Sequence, residues 1–135
     1  MPMKAEQVKS VADAKKIVEE RGITHIKVGV FDGDAILRGK YLHKDKFFGT
    51  AEPYPKGGFG FCDVVLGWDS NDQLFDNVKY TGWHTAYPDA WVRVVPESCR
   101  EIPFEENTLF FLCEFVNKAE EICPRGTLRR VLDRA

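Results

Sequence analysis

The sequence predicts an α+β domain, and three observations carry that prediction. A helical pattern near the N-terminus leads into two alternating segments joined by an Asp-Gly turn. A long stretch rich in Asp, Asn, Gly and aromatic residues then breaks the regular pattern. Two further apolar segments of strand length follow it. Helix and strands that come in runs rather than in strict alternation are the mark of α+β packing. At 135 residues and 15.4 kDa the chain has the size of one domain, with a short appendage at most. A chain this long buries roughly two-thirds of its unfolded surface, enough to hold a core without a disulfide or a metal. Its 44% hydrophobic content, with 10 Phe, 4 Tyr and 3 Trp, excludes intrinsic disorder.

The helix is expected over Ser10 to Arg21. Ser10 with Asp13 resembles a capping box, Val11, Ala14, Ile17 and Val18 share one face, and Gly22 supplies the stop. From Thr24 to Phe31 the chain alternates, with Ile26, Val28 and Val30 on one face and His25, Lys27 and Gly29 on the other, as a strand with one buried side requires. Asp32-Gly33-Asp34 is hairpin-turn chemistry, and Ala35 to Leu42 is the return strand. Lys44 to Phe48 reads as a helical turn or a loop that tucks in Phe47 and Phe48. Pro53, Pro55, Gly57, Gly58 and Gly60 make Thr50 to Gly60 a loop. Phe61 to Trp68 is apolar enough for a strand or a covered loop. Asp69 to Asp89 is too long for an idle connection, and loops of that length are usually functional or lie against a partner. Strands are expected over Trp91 to Val95 and Thr108 to Val116. A last helix follows Pro124, with Leu128, Val131 and Leu132 as its apolar stripe. That helix is too short to persist alone, so the stripe is expected either to dock on the chain's own sheet or to mark the start of a larger structure.

Nineteen Lys and Arg against 21 Asp and Glu leave a net charge of −2, which offers no field for a polyanion and points away from nucleic acid. No stretch approaches the ~20 apolar residues that span a bilayer, and the polar N-terminus lacks the apolar middle of a signal peptide, so the expected compartment is the cytoplasm. Cys62, Cys99, Cys113 and Cys123 form no C-x-x-C pair and are expected as reduced, buried small residues. His25, His43 and His84 are scattered singly, and no metal site is expected. Gly57-Gly58-Phe59-Gly60 is not followed by the Gly-Lys-Ser/Thr of a phosphate cradle.

The carboxylates of the middle segment carry the chemistry. Asp63 lies inside an apolar stretch, where a carboxylate is paired, exposed at a loop crest, or functional. Asp69 and Asp72 follow Trp68 closely. They read either as turn carboxylates that cap local amides or as part of a loop that binds a cation, since charge and an aromatic face both attract one.

Taken in order, several segments resemble the N-terminal domain of the glutamine synthetase family. They are the Ser10–Gly22 helix; the hairpin Ile26–Leu42 with Asp32-Gly33 and Arg38-Gly39-Lys40; Phe61-Cys62-Asp63 leading to Gly67-Trp68-Asp69; Tyr87-Pro88-Asp89; Ser98 through Phe104; the Thr108–Val116 strand; and Cys123-Pro124-Arg125 entering a helix. The resemblance runs from about residue 8 to 135. It implies a β-grasp-like fold, a small mixed sheet with helix cover, over 1–117. Residues 118–135 are then the linker and first helix of a catalytic domain that is missing here.

In that family an enzyme joins an amine to the γ-carboxylate of glutamate after ATP has phosphorylated it. The resemblance therefore implies ATP and Mg or Mn for a longer parent protein, and no cofactor in this chain. It implies a ring homo-oligomer in which this domain meets its own catalytic domain and lends a loop to the neighbouring subunit. By position after Phe61-Cys62, Asp63 matches the catalytic aspartate that binds the amine and removes its proton, and Trp68 matches an aromatic wall of the substrate site. Where the family's loop typically reads Asp-Gly-Ser-Ser, this chain reads Asp63-Val64-Val65-Leu66, which leaves the amine open between ammonia and a larger one. A second reading, from a different class, is a free-standing β-grasp module that binds a partner protein and catalyses nothing.

Overall fold

In a computed structural model that describes residues 1–51, 57–75 and 79–135, the chain forms three helices and six strands. The helices are α1 (Val11–Glu20), α2 (Lys44–Thr50) and α3 (Pro124–Arg134). The strands are β1 (His25–Phe31), β2 (Leu37–His43), β3 (Phe59–Cys62), β4 (Asp89–Val94), β5 (Arg100–Glu101) and β6 (Leu109–Phe115). They make one mixed sheet in the order β2-β1-β6-β4-β3, with β5 paired to β6. The architecture is α+β, as the element order predicts. The part of the Thr50–Gly60 loop at residues 52–56, and residues 76–78 of the Asp69–Asp89 stretch, lie outside the described residues.

The chain folds as two compact units, each assembled from three separated segments. The first comprises Met1–Gly29, Gly39–Gly58 and Arg93–Cys113. Its helix α1 is built by local signals. Ser10 sits at the N-cap and its Oγ accepts the Asp13 amide at 3.1 Å, while the Asp13 carboxylate accepts the Lys9 amide at 3.1 Å. At the other end Gly22 adopts φ +62°, so that its amide reaches the Glu19 carbonyl and the Ile23 amide the Val18 carbonyl. That is the paired closure that a left-handed residue makes possible, and glycine adopts it without a Cβ clash. Ala14, Ile17 and Val18 are buried as the spacing requires, together with Ile26 and Val28 of β1. β1 runs parallel to β6, with Val28 opposite Phe111 and both fully buried. β5 pairs antiparallel on β6, Arg100 opposite Phe110, and is too short to leave a periodic trace in the sequence. Helix α2 extends the expected turn to Thr50, capped by the His43 imidazole. It buries Phe47 against Phe111 at 5.1 Å between ring centroids, and Phe48 is half-buried.

The second unit comprises Val30–Arg38, Phe59–Val92 and Glu114–Ala135. The chain turns where the Asp-Gly signal places a hairpin, but through a three-residue loop rather than the two-residue turn: the Ala35 amide reaches the Asp32 carbonyl at 3.0 Å, the Asp32 amide reaches the Ile36 carbonyl at 2.9 Å, and the left-handed residue is Ala35 at φ 62° rather than Gly33. β3 starts at Phe59 rather than Phe61 and pairs antiparallel with β4, Gly60 opposite Trp91. Beyond it the apolar run leaves the strand and winds into a 3-10 turn over Asp63–Gly67. The expectation that α3 lays its stripe on the chain's own sheet is not met, because Leu128, Val131 and Leu132 are 58 to 64% exposed. Helix α3 is held instead by charge, through Arg125 and Arg129 on the buried Glu114.

Two substitutions separate the capping and packing contributions of α1. Ser10→Ala is expected to lower unfolding stability by about 1 kcal/mol. Val18→Asp places a carboxylate among fully buried side chains and is expected to cost several times more. Urea titration of both variants checks this; a Val18→Asp midpoint no lower than that of Ser10→Ala would show that the helix face is not packed.

Candidate functional site

The site is built where β3 ends. Gly60 makes room on β3 for the Asp89 side chain of β4: a Cβ at Gly60 would come within 2.7 Å of the Asp89 Cβ. The chain then turns at Cys62, whose Sγ contacts the Tyr87 carbonyl oxygen at 3.3 Å, and the Asp63 amide donates to the Pro88 carbonyl at 2.9 Å. These contacts continue the β3–β4 pairing one step past the strands and fix the backbone of Asp63. The segment that supplies the opposing contacts is strained, with Ala86 at φ 58° and Tyr87 at φ 48° in succession. Left-handed non-glycine residues of this kind cluster at functional sites.

Asp63 is 3% exposed. Of the three positions open to a carboxylate in an apolar stretch, the loop crest is thereby excluded. The Thr81 hydroxyl donates to Oδ1 at 2.5 Å, and Thr81 itself is 1% exposed. Burial pushes the Asp63 carboxyl above its ordinary value, the Asp89 carboxylate adds to that, and the Thr81 hydroxyl pulls it back. The Tyr80 phenol is raised in turn by its own burial and by the Asp63 charge. The Lys118 ammonium lies 5.8 Å from the centroid of the Tyr80 ring. The loop holds itself together: the Gly82 amide reaches Thr85 Oγ1 at 3.0 Å, and Thr85 Oγ1 donates to the Gly82 carbonyl at 2.9 Å. Trp83 stands 78% exposed, edge-on to Tyr87.

Among the described residues the unit contains three buried carboxylates, Asp32, Asp63 and Glu114, and they are not treated alike. Asp32 accepts Arg38 Nε at 2.8 Å together with the amides of Asp34 and Ile36. Glu114 accepts Arg125 and Arg129. Asp63 has a hydroxyl where the other two have a guanidinium. A buried charge without a counter-charge costs folding free energy, which makes Asp63 the candidate functional carboxylate of this unit.

The other sequence-predicted residues divide by role. Trp68 lies under Arg38, whose guanidinium carbon is 4.5 Å from the ring centroid. Its indole Nε1 is buried and has no hydrogen-bond partner among the described residues. Arg38 also bonds the Asp72 carboxylate at 2.6 Å and the Asp69 carbonyl at 3.0 Å. Asp69 Oδ1 accepts the amides of Asn71 and Gln73, so Asp69 and Asp72 act here as turn and ion-pair carboxylates. His25 and His43, far apart in sequence, meet edge-to-face at 5.3 Å, a pairing invisible in the sequence. Among the described residues no group of three His, Cys, Asp or Glu side chains is placed to hold a metal ion. The cysteines form no disulfide among the described residues and are all buried except Cys62, which is half-buried, and burial pushes the Cys99 thiol up to about 12, which leaves it inert. Thr81 is the residue that sequence reading missed, because nothing distinguishes one threonine in a polar loop until its hydroxyl is seen on a carboxylate.

No protein-family model matches the chain. The chain is 47% identical over 110 residues to the type-1 glutamine synthetase 2 of Dictyostelium discoideum, in an alignment covering 79% of this chain and 20% of that protein. It is 28% identical over 138 residues to a glutamate–isopropylamine ligase of a Pseudomonas species, covering 98% of this chain and 29% of that one. The chain thus spans less than a third of the length of these curated relatives. Among solved structures, GmaS in complex with ADP is similar with a TM-score of 0.64 at 18% identity, over 94% of this chain and 25% of that chain. This last likeness is one of fold.

The raised Asp63 carboxyl has a consequence for stability. The folded chain takes up a proton here at higher pH than the unfolded chain, whose carboxyl titrates near 3.8. The burial penalty is therefore absent below that value, grows as pH rises above it, and is complete once the folded-state carboxyl has ionised. Asp63→Asn keeps an oxygen for the Thr81 hydroxyl and removes the penalty. It is expected to melt above the parent at pH 7, with the gap closing as pH falls toward 3. Thermal melts of both proteins across that range check it, and a gap that widens on acidification would contradict the assignment.

Proposed function

From its homology to the glutamine synthetase family, we propose that the chain is the N-terminal, β-grasp-like domain of an ATP-dependent ligase that joins ammonia or a larger amine to the γ-carboxylate of glutamate. In this reading 1–117 is that domain and 118–135 leads into the catalytic domain. The domain lends the Asp63 loop to a neighbouring subunit of a cytoplasmic ring homo-oligomer. The observation that carries the proposal is the buried Asp63 carboxylate, which among the described residues has a hydroxyl and no cation on it, in a unit where Asp32 and Glu114 have arginines. The homology to a glutamine synthetase and to a glutamate–amine ligase supports the reaction class.

The chemistry asked of Asp63 is modest and fits its surroundings. An incoming amine is a cation at neutral pH, and a negative charge held in a poorly hydrated place attracts it more strongly than one in water. The amine must then lose a proton to become a nucleophile. A carboxylate made more basic by burial takes that proton more readily than an ordinary aspartate. Trp68, further along the same loop, is the aromatic wall of the substrate site in this reading; its ring already holds the Arg38 guanidinium at 4.5 Å, and an aromatic face is what attracts a cation. No described residues fit the divalent metal of the family, so the metal and ATP are assigned to the catalytic domain and no step here runs through them. The exposed stripe of Leu128, Val131 and Leu132 is compatible with burial against further chain of the same protein.

Two outcomes are expected. The 135-residue chain incubated with ATP, glutamate, metal and an amine should release no phosphate above a boiled control, because positioning and charge stabilisation of the transferring phosphoryl group are supplied elsewhere. In a longer protein that carries this chain and a catalytic domain, Asp63→Ala should lower amine-dependent turnover by about 10²–10⁴-fold while ATP affinity stays nearly constant. Steady-state kinetics with nucleotide-binding titration measures both. Unchanged turnover in Asp63→Ala would end the catalytic reading of this residue, and Asp69→Ala serves as the turn-carboxylate control.

A further inference from the structure

We propose that Thr81 is the positioning residue of the site: its hydroxyl holds Oδ1 of Asp63 and leaves Oδ2 as the oxygen that receives the amine's proton. The proposal rests on the reading of Asp63 given above and adds the group that makes its carboxylate directional.

The geometry points to a specific division between the two oxygens. A threonine has one O–H to give, and here it is given to Oδ1 at 2.5 Å, 18 residues away in sequence, with both side chains buried. Among the described residues no hydrogen bond goes to Oδ2. The backbone of Asp63 is fixed separately by the Pro88 carbonyl, so the hydroxyl sets the torsion of the carboxylate rather than the place of the residue. Thr81 is itself held in a closed loop: Gly82 and Thr85 bond reciprocally just after it, and the His84 imidazole meets the Lys79 carbonyl at 3.3 Å.

The choice of partner separates positioning from mere stabilisation. For a carboxylate that only has to be buried, this fold uses arginine, as at Asp32 and Glu114. A guanidinium would cancel the charge and lower the basicity. A hydroxyl orients the carboxylate, stabilises the ionised form in part, and leaves the net negative charge that an ammonium needs. The proton step then balances simply. The N–H bond of the bound ammonium breaks, its electron pair stays on nitrogen as the lone pair that attacks, and the proton forms an O–H bond at Oδ2. Among the described residues, the ionised or polar groups that act on Asp63 are Asp89 of β4, which opposes its ionisation, and Thr81, which favours it. Tyr80, with Lys118 over its ring, feels the Asp63 charge from the adjoining segment.

The test compares Thr81→Val, which keeps the shape and loses the hydroxyl, with Thr81→Ser, which keeps the hydroxyl. In the 135-residue chain, carboxyl-carbon NMR should show Asp63 titrating at higher pH in Thr81→Val than in the parent, and returning toward the parent in Thr81→Ser. In the longer protein, Thr81→Val should lower amine-dependent kcat by roughly 10- to 100-fold, the value of a hydrogen bond to a charged group. The acid limb of its pH profile should move up, with the KM for ATP unchanged and rescue by Thr81→Ser. Should Thr81→Val fail to fold, the unmutated chain still decides: a protected Thr81 hydroxyl proton coupled to the Asp63 carboxyl carbon is expected, and its absence overturns the proposal. An Asp63 titration unmoved in Thr81→Val also overturns it. If Asp63→Ala abolishes amine use while Thr81→Val leaves kcat and its pH profile intact, the proposal for Thr81 fails and the reading of Asp63 stands. If Asp63→Ala leaves amine use intact, both fail together.

Discussion

Asp63 sits beneath the surface at the end of β3 with a hydroxyl on its carboxylate and a like charge, Asp89, acting on it from β4. Taking that charge out of water is unfavourable, and the unit does little to relieve it. The surrounding structure is arranged to tolerate the cost. The Asp63 amide is tied to Pro88, Gly60 clears space for Asp89, and the loop around Thr81 closes on its own hydrogen bonds. An unfavourable charge persists in a fold only when its neighbours over-determine its position, and here backbone, loop and side chain each do so independently.

Arg38 shows the opposite solution within the same unit. One guanidinium reaches the Asp32 carboxylate, the Asp72 carboxylate and the Asp69 carbonyl while it stacks on Trp68. The planar fork makes this possible, since its donors leave in fixed and different directions while the face remains free for the ring. The tip of the β1–β2 hairpin is thereby fastened to the turn that follows Trp68, and the Ser70 amide on Asp34 adds a second tie. What reads in sequence as an irregular middle is in fact ordered at this point, with Trp68 bridged to Leu74 and the Asp69 carboxylate closing the turn.

The two arrangements explain why carboxylates that look alike along the chain differ in what they can do. Asp32, Asp69 and Asp72 spend their oxygens on guanidinium and backbone amides. Such groups are committed to structure, and a substrate would have to displace an internal partner to use them. Asp63 is instead buried with a neutral hydroxyl on it. Burial combined with a neutral side-chain partner sets it apart from Asp32, which is buried on a guanidinium, and from Asp69 and Asp72, which serve a turn and an ion pair.

The sequence by itself determined the elements whose causes are local. The cap at Ser10, the glycine stop at Gly22, the hairpin at Asp32-Gly33 and the alternation of β1 each depend on residues within a few positions of one another, so each was legible. So was the candidacy of Asp63, because a carboxylate in an apolar run is anomalous wherever the chain goes. Only the tertiary structure decided the rest. The parallel pairing of β1 with β6 joins segments distant in sequence, and neither strand carries a mark of its partner. The short β5 owes its existence to β6 rather than to its own two residues. Above all, the partner of Asp63 is a threonine 18 residues away, and the partners of Asp32 and Glu114 are arginines. Which donor reaches which carboxylate is set by how loops cross the sheet ends, a matter of three-dimensional closure that no periodicity or spacing in the chain encodes.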